Sequence, residues 1–417
     1  MSKWNIKIPP SLHHRKFALL WVGMLVSVAG SQMQLWALFW HIRTLSDQPI
    51  AVSGVGIARF VPVLLFSLVA GVVADQWDRR KILYITQSIP ALVALALGLL
   101  TRSHTIQLWH IYVLTAIQAT ALAFDLPARQ ALVPNLLPRK DLANAFTLLS
   151  ISSSVGSIAG PALSGLVIGY LGQEYAYFFN ALSYLAIIGS LILMGPVSHE
   201  IRAAAHHSVA DGIFAIKEGV QFIRKQPIIL SSMILDFFAT FFSSANTLLP
   251  YVAQDILHVG AIEYGWLSAS QSIGSVFVGL IISQRTQIKR QGMLLLGSVF
   301  VFGVATIVFG LSRGFVLTML ALIVIGASDS VSTILRNTIR QLQTPDQLRG
   351  RMVSVNQIFF TGGPQLGEVE AGLVGQAFGI VAAIISGGIG CIAAVGLIAW
   401  RWPQLRNFTE SELQPAR

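Results

Sequence analysis

Charged residues are scarce in this sequence. Asp, Glu, Lys and Arg together make up 11% of its 417 residues, whereas soluble domains carry about 25%. Apolar residues account for 54%, and a soluble protein of this length could not keep so much apolar surface away from water. The composition therefore excludes a soluble globular protein and indicates a chain solvated by lipid.

Cysteine is nearly absent, and several functional motifs are missing altogether. Cys391 is the single cysteine, which excludes an internal disulfide and a thiolate metal cluster. The nine histidines lie mostly in tails and loops without metal-ligand spacing, so we expect neither a metal nor a cofactor. The chain has no GxxxxGK(S/T) nucleotide loop, no HExxH and no paired aspartates near a lipid–water boundary. These absences argue against an ATP-driven pump and against a competing class, the membrane-embedded enzyme.

Long apolar runs replace the missing charge. A helix needs about 20 apolar residues to cross roughly 30 Å of hydrocarbon, whereas barrel strands would show short alternating segments. The first run spans about 24 residues and similar runs follow it, so we interpret it as a membrane helix and not as a cleaved leader. Twelve spans are predicted, at roughly 17–40, 51–74, 82–100, 108–124, 144–171, 175–194, 228–252, 264–282, 291–311, 315–335, 351–379 and 380–400.

The net charge of +10 is distributed unevenly along the chain. All but four of the 28 Lys and Arg residues fall in the two tails and in alternate loops. The exceptions are Arg43, Arg102 and Arg313 in the opposite loops and Arg59 within a span. Positively charged loops mark the cytoplasmic side, so we predict a multi-pass protein of the cytoplasmic (plasma) membrane with both termini in the cytoplasm. The basic charge is a topology signal and does not indicate nucleic-acid binding.

The longest polar stretch divides the chain nearly in half. We predict an N-terminal six-helix bundle over 1–197, a cytoplasmic linker over 198–226 and a C-terminal six-helix bundle over 227–417. The two halves share a weak repeat, since GVVADQWDRRK (71–81) aligns with GLIISQRTQIK (279–289) and each closes the second span of its half. Parallel six-helix repeats leave such a pattern.

The linker contains a short amphipathic pattern. Four apolar residues recur at helical spacing and predict a surface helix; they are Ile213, Ile216, Val220 and Ile223. This helix either tethers the two halves at the inner leaflet or regulates them.

The loop between spans two and three carries a glycine, an aspartate and a basic cluster. These residues are Gly71, Asp75, Arg79 and Arg80. The pattern resembles the signature of the major facilitator superfamily, although Gln76 stands where a basic residue is usual and Asp78 where glycine is usual. The resemblance implies an all-α integral membrane fold of twelve transmembrane helices, in two six-helix bundles related by pseudo-twofold symmetry.

The same resemblance implies a cytoplasmic gate. Asp75 would cap the start of helix 11, where free amide groups favour negative charge. Asp125, near the end of helix 4, would interact with the Asp and Arg residues of the loop in a charge relay. An alternative is that the loop charges only set topology, which would account for the arginines but not for Asp75.

Span five contains a second signature, Gly156, Gly160-Pro161 and Gly165. It resembles the antiporter motif of the superfamily, although Ser164 replaces a common glycine. Glycines four apart allow close helix approach and proline bends a helix, so a generic packing seam is the alternative. Segments 125–145 and 344–352 resemble the drug and siderophore exporter branch, of the enterobactin exporter and macrolide efflux type.

Five acidic or basic residues fall inside the predicted spans and away from the span ends: Arg59, Asp236, Asp329, Glu368 and Glu370. A charge inside a membrane is costly unless it is paired or hydrated, and a carboxyl group in apolar surroundings can hold a proton near neutral pH. The four acids are therefore candidate proton-coupling residues. Arg59 lies at a depth similar to that of the glutamates, and residues two apart point about 200° away from each other. We predict an outer gate between Arg59 and one glutamate. The alternative is that water and Ser or Gln side chains provide the hydrogen-bond partners of the glutamates, which then form no gate.

These observations predict secondary active export by proton antiport with alternating access. The cargo is expected to be small, bulky and partly apolar, because aromatic residues recur in spans one and seven. The expected partners are this small molecule, protons and the lipid bilayer, with the chain acting as a monomer. The alternative is an importer or uniporter of a nutrient or lipid-like molecule on the same fold.

Overall fold

The computed structural model describes residues 9–197, 209–284, 288, 290–345 and 348–409. Within these ranges every regular element is helical. The first six long helices are α1 (Arg15–Leu45), α2 (Ile50–Gln76), α3 (Arg79–Arg102), α4 (Leu108–Leu132), α5 (Leu142–Tyr170) and α6 (Gln173–Met194).

The linker helix (Val209–Lys225) separates these from six further long helices. They are α7 (Pro227–Ile256), α8 (Ala261–Ser283), α9 (Gln291–Leu311), α10 (Phe315–Gln343), α11 (Arg349–Phe378) and α12 (Ile380–Arg401). Helix α7 changes type along its length, from α-helix over Pro227–Ser243 through a 3-10 turn to a π-helical turn over Val252–Ile256.

Eleven of the described helices are long and apolar enough to cross a membrane. The remaining long helix, α11, has 30 residues and therefore spans about 45 Å at 1.5 Å per residue. Its length is sufficient, but four charged residues lower its hydropathy: Arg349, Arg351, Glu368 and Glu370. The helix count agrees with the twelve predicted spans, and the predicted all-α membrane fold is confirmed.

The chain forms two compact units. The N-terminal unit comprises Met1–Ala37 and Val61–Val209, and the C-terminal unit comprises Leu38–Phe60 and Ala210–Arg417. The last turns of α1 and the first turns of α2 thus group with the C-terminal helices. In the N-terminal unit, the core packs α1, α3, α4 and α6 around residues such as Phe17, Leu83 and Tyr184.

The linker helix packs on the start of α11 through a face that includes one of the predicted apolar residues, Ile223, but not Val220. Ile223 is buried against Met233 of α7 and Met352 of α11. A Cβ atom at Gly219 would approach the backbone oxygen of Arg351 to 3.0 Å, so this face lies against α11. Val220, predicted on the apolar face, is exposed. The side chains of Ile213 and Ile216 lie outside the described part of the structure.

Candidate functional site

A group of four charged residues lies between α7 and α10 in the C-terminal unit. We call it the α7–α10 charge cluster; its members are Asp236, Asp329, Arg336 and Arg340. Asp236 Oδ1 lies 2.9 Å from Arg336 Nη1, and Asp236 Oδ2 lies 3.0 Å from Arg340 Nη2. Both guanidinium groups are 2% exposed. A single carboxylate therefore holds two buried cations together across two helices.

Arg340 also has several neutral partners. Its Nη2 donates to the backbone oxygen of Ser232 at 2.8 Å, and its Nε donates to the Ser232 hydroxyl at 3.1 Å. Its Nη1 donates to the side-chain oxygen of Asn356 on α11. A guanidinium offers five donors in a planar fork, and this one uses them on α7 and α11 together. Arg340 is thus fixed in place.

Arg336 is held less completely. Its Nη2 donates to the Thr333 hydroxyl at 2.8 Å and lies 3.8 Å from Asp329 Oδ1. Its Nη1 is in ionic contact with Asp236 but is not aligned for a hydrogen bond. The Asp329 side chain remains 47% exposed. Arg336 therefore lies between one sealed carboxylate and one accessible carboxylate.

Arg336 and Arg340 were predicted in a cytoplasmic loop, and this prediction was wrong. The predicted span ended at 335, whereas α10 continues to Gln343. Charge counting treats a basic residue near a span end as a topology signal, which hid their burial. The spacing of the residues could have revealed this cluster, because Asp329, Arg336 and Arg340 share one helix face at intervals of seven and four residues.

Arg59 on α2 and Glu368 on α11 form an ion pair, with Arg59 Nη1 donating to Glu368 Oε1 at 2.7 Å. The Glu368 side chain is buried, while that of Arg59 is 29% exposed. Gly56 lies one turn before Arg59, and a Cβ there would approach Gln365 O to 2.7 Å. The absence of a side chain at Gly56 therefore permits close approach of the two helices.

Glu370, the second predicted partner, is half-buried and has no ion pair within the described residues. The structure thus brings Arg59 to Glu368. The other oxygen of that carboxylate, Oε2, has no aligned hydrogen-bond partner.

A second set of contacts joins the α1–α2 connection to α7. Arg43 Nη2 lies 2.6 Å from Asp255 Oδ1, and Arg43 also pairs with Asp47. The Tyr251 hydroxyl lies within hydrogen-bonding distance of the backbone oxygens of Ser46 (3.1 Å) and Gln48 (3.0 Å). Arg43, predicted in an outer loop, therefore takes part in a network that spans α1 and α7.

The loop between α2 and α3 has a local structural role for part of its signature. Asp78 Oδ1 accepts a hydrogen bond from the backbone nitrogen of Arg80 at 2.9 Å and caps α3. Arg80 donates to Leu191 O and to the Tyr84 hydroxyl. The neighbouring Arg79 has a buried Nε without a hydrogen-bond partner.

The two remaining residues of that loop signature are Gly71 and Asp75. A Cβ at Gly71 would meet no atom within 4 Å. The side chain of Asp75 lies outside the described part of the structure, and so does the contact predicted for it with the start of α11.

Asp125 is buried near the end of α4. It pairs with Arg129, one turn later on the same helix. It also accepts hydrogen bonds from Gln87 Nε2 at 2.5 Å and from the Thr86 hydroxyl at 3.2 Å, both on α3. Arg129 had been placed in a loop because the predicted span ended at 124, whereas α4 continues to Leu132.

The glycines of α5 lie against α1. A Cβ at Gly156 would approach Val28 Cγ1 to 2.6 Å, and one at Gly160 would approach Met33 N to 2.8 Å. Pro161 and Gly165 are buried in the same helix. This close packing accounts for the glycines of the motif, and it agrees with both the antiporter motif and the generic seam.

A neutral polar network that was not predicted from the sequence crosses the N-terminal unit. Gln34 Nε2 donates to Gln118 Oε1 at 2.9 Å, and Asn180 Nδ2 donates to Gln34 Oε1 at 2.7 Å. Ser183 donates to Asn180 Oδ1 at 2.9 Å. Helices α1, α4 and α6 are thus joined by uncharged groups.

Comparison with known proteins places the chain in a family. The profile of the transmembrane secretion effector family matches residues 8–417. The chain therefore belongs to this family of the major facilitator superfamily, as the loop and span motifs predicted. It is a multi-pass membrane transporter, a class that carries small molecules.

Two curated relatives cover nearly the whole chain. The multidrug efflux pump Tap of Mycolicibacterium fortuitum is 25% identical over 93% of this chain and 96% of its own length. The enterobactin exporter EntS of Shigella boydii is 24% identical over 99% of this chain and 98% of its own.

Solved structures share the fold. A bacterial homologue of the human lysosomal transporter Spinster, in an inward-facing and occupied conformation, has a TM-score of 0.70 at 14% identity. The match covers 97% of this chain and 99% of that one. A bacterial homologue of the iron transporter ferroportin has a TM-score of 0.63 at 15% identity, over 91% and 98% of the two chains.

Proposed function

We propose that this protein is a secondary active exporter that carries a small, bulky and partly apolar molecule out across the cytoplasmic membrane by proton antiport. The observation that most supports this proposal is the Arg59–Glu368 ion pair between two membrane helices. Charges within a membrane protein are rare and mark ion or substrate pathways. The names of the relatives Tap and EntS support export as the direction.

The transport cycle is alternating access, with Arg59 and Glu368 as the outer gate. A buried ion pair resists separation because a lone charge would remain in the membrane. Protonation of Glu368 would remove that charge and allow the pair to separate, which couples a proton to opening. The remaining acids, Asp236, Asp329 and Glu370, are further candidates for proton coupling.

The cytoplasmic gate comprises Gly71, Asp75, Arg79, Arg80 and Asp125. Asp75 acts at the start of α11 when the inner side closes. Two contacts support this part of the proposal, because Asp125 is anchored to Arg129 and Arg80 is anchored to α6. An Asp75→Asn variant that inserts normally but transports poorly is the expected result. Normal transport by that variant would remove Asp75 from the gate.

Everted membrane vesicles test the proposed function. Ethidium and a panel of other fluorescent amphiphilic dyes are offered to vesicles that contain the protein. We expect at least one dye to accumulate in the lumen when a proton gradient is present and to leave after an uncoupler is added. Vesicles with the Glu368→Gln variant should lose the gradient-driven accumulation. Vesicles with Glu263→Gln, an exposed acid on α8, are the matched control.

Two other outcomes contradict the proposal in different ways. Accumulation that is unaffected by the uncoupler indicates a uniporter. Movement only in right-side-out vesicles indicates an importer.

Both termini, tagged and probed with protease, should be accessible from the cytoplasmic side, and the purified protein should elute as a monomer.

A further inference from the structure

The two aspartates of the α7–α10 charge cluster have different surroundings. Asp236 is sealed between Arg336 and Arg340 and is 3% exposed at its side chain, whereas the Asp329 side chain is 47% exposed. Proton exchange requires an accessible carboxyl group, and of these two aspartates Asp329 is the more accessible. The cluster as a whole contains two acids and two guanidinium groups, so its formal charge is zero.

The accessible side of Asp329 is not the lipid-facing side of α10. Leu320 lies nine residues earlier and is 51% exposed. Nine residues correspond to a rotation of about 180° around an α-helix. Asp329 therefore points away from this exposed apolar stripe, toward the face that also carries Arg336 and Arg340. The exposed part of the Asp329 side chain is therefore on the face of α10 that carries Arg336 and Arg340, not on its lipid-facing side.

Arg336 connects the two aspartates. Its Nη1 contacts Asp236 at 2.9 Å without hydrogen-bond alignment, and its Nη2 is 3.8 Å from Asp329. Among the described residues, the charged and titratable groups that interact electrostatically with Asp329 are Arg336 on its own helix, Asp236 on α7 and the thiol of Cys391 on α12. Arg336 is the single cation among them, so it is the group whose position depends on the charge of Asp329.

We infer that Asp329 is the proton-exchanging acid of this cluster and that Arg336 is a positioning residue that transmits its charge state to the α7–α10 contact. With Asp329 ionised, Arg336 is shared between two carboxylates. With Asp329 protonated, Arg336 has only Asp236 to pair with, and the link between α10 and α7 tightens. Arg340 stays fixed in both states by Ser232 and Asn356. This inference rests on the proposed proton coupling.

Infrared difference spectroscopy of the purified protein in lipid nanodiscs tests the first half without any substrate. The probe is the proton itself, supplied by stepwise acidification of the buffer. We expect several protonated-carboxyl components in the wild type, one of which disappears in Asp329→Asn and persists in Glu368→Gln and in the exposed control Glu263→Gln. In Asp236→Asn that component should remain with its midpoint at lower pH, because Arg336 then has only Asp329 to pair with. The assignment is overturned if Asp329→Asn loses no component, or if the component it loses is also lost in Glu368→Gln.

Substitutions of Arg336 test its positioning role. In Arg336→Gln the midpoint of the Asp329 band should move to higher pH by about one unit, because the neighbouring cation is lost. Arg336→Lys keeps the charge but not the planar fork, so the shift should be smaller. An unchanged midpoint in both variants means that Arg336 does not transmit the charge of Asp329.

A double variant keeps the test valid if Arg336→Gln folds poorly. Arg336→Gln alone leaves the cluster with one excess negative charge, and adding Asp329→Asn restores a neutral Asp236–Arg340 pair. The double variant should therefore unfold at a higher temperature than the single one, an interaction that a double-mutant cycle measures. If the effects of the two single substitutions on stability simply add, Arg336 and Asp329 are not coupled. Vesicle transport separates the two proposals, because an uncoupler-insensitive carrier could still show the Asp329 band.

Discussion

The two units bury polar groups of different kinds. The N-terminal unit joins α1, α4 and α6 through the amides of Gln34, Gln118 and Asn180. The C-terminal unit joins α7 and α10 through Asp236 and two guanidinium groups, and joins α2 to α11 through Arg59 and Glu368. The one buried acid described above in the N-terminal unit, Asp125, pairs within its own helix.

This difference separates two physical tasks. A hydrogen-bonded amide network fixes helices in place and does not change charge near neutral pH. An interhelical ion pair also fixes helices, but it is sensitive to protonation because its strength depends on the charge of each partner. The proton-responsive contacts are therefore expected in the C-terminal unit, while the amide network of the N-terminal unit maintains its shape.

The strongest test of this comparison removes Asp236. An Asp236→Asn substitution leaves Arg336 and Arg340 as neighbouring buried cations, and breaking a buried pair costs roughly 3–5 kcal/mol. We expect a marked fall in the thermal unfolding temperature of the purified protein, followed by tryptophan fluorescence. Asp125→Asn in the other unit is the matched variant. It should lower the unfolding temperature less, because Arg129 is partly exposed. Equal losses would remove the proposed distinction between the units.

The second test breaks the Arg59–Glu368 pair. Glu368→Gln should destabilise the protein by less than the roughly 3–5 kcal/mol of a sealed pair, because Arg59 is partly exposed and can reach water. It should also increase labelling of a buried reporter, Val55→Cys in a Cys391→Ser background. Glu370→Gln, two residues away, is the control. Equal labelling in the Glu368 and Glu370 variants would contradict the gate.

The third test places a charge in the neutral network. Asn180→Asp preserves shape but adds a carboxyl group to a site where Asn180 contacts only uncharged partners. The loss of the Nδ2 donor to Gln34 costs about 1–3 kcal/mol. A further loss should develop as the pH rises and the new carboxyl group ionises. Unfolding temperatures at pH 5 and pH 8 measure this, and a pH-independent loss would show that the N-terminal unit accommodates a charge.

Sequence reasoning predicted the fold because its main signals are local. Apolar runs set the span positions, and Gly156 and Gly160 already indicated a close helix contact that α5 makes with α1. The loop signature identified the superfamily, although the side chain of its central residue, Asp75, is not described. Depth arguments paired Arg59 with a glutamate, because both positions could be counted from span ends.

The misplaced and missed residues have a common physical cause. Arg129, Arg336 and Arg340 lie near helix ends, where a basic residue is ordinarily a topology signal. The burial of Arg336 and Arg340 depends on a partner distant in sequence, since Asp236 lies about 100 residues before them. Arg129 pairs with Asp125, one turn earlier on the same helix and just beyond the predicted end of the span. The amide network of Gln34 and Asn180 was missed because Asn and Gln carry no pattern that distinguishes a partnered side chain from membrane filler.

The smallest expected effect concerns a charge pair at the surface of the C-terminal unit. Glu218 of the linker helix pairs with Arg351 of α11, and both side chains are partly exposed, at 37% and 38%. Such pairs contribute about 0–1 kcal/mol because water screens them, so Glu218→Gln should leave the unfolding temperature and the vesicle transport nearly unchanged. Glu263→Gln is again the control. An unchanged rate favours the linker helix as a tether that rests on α11 through Ile223 and Gly219. A transport rate that changes several-fold at constant stability would instead identify it as a regulatory element, because α11 also carries Glu368 and any restraint on its first turn would act on the proposed outer gate.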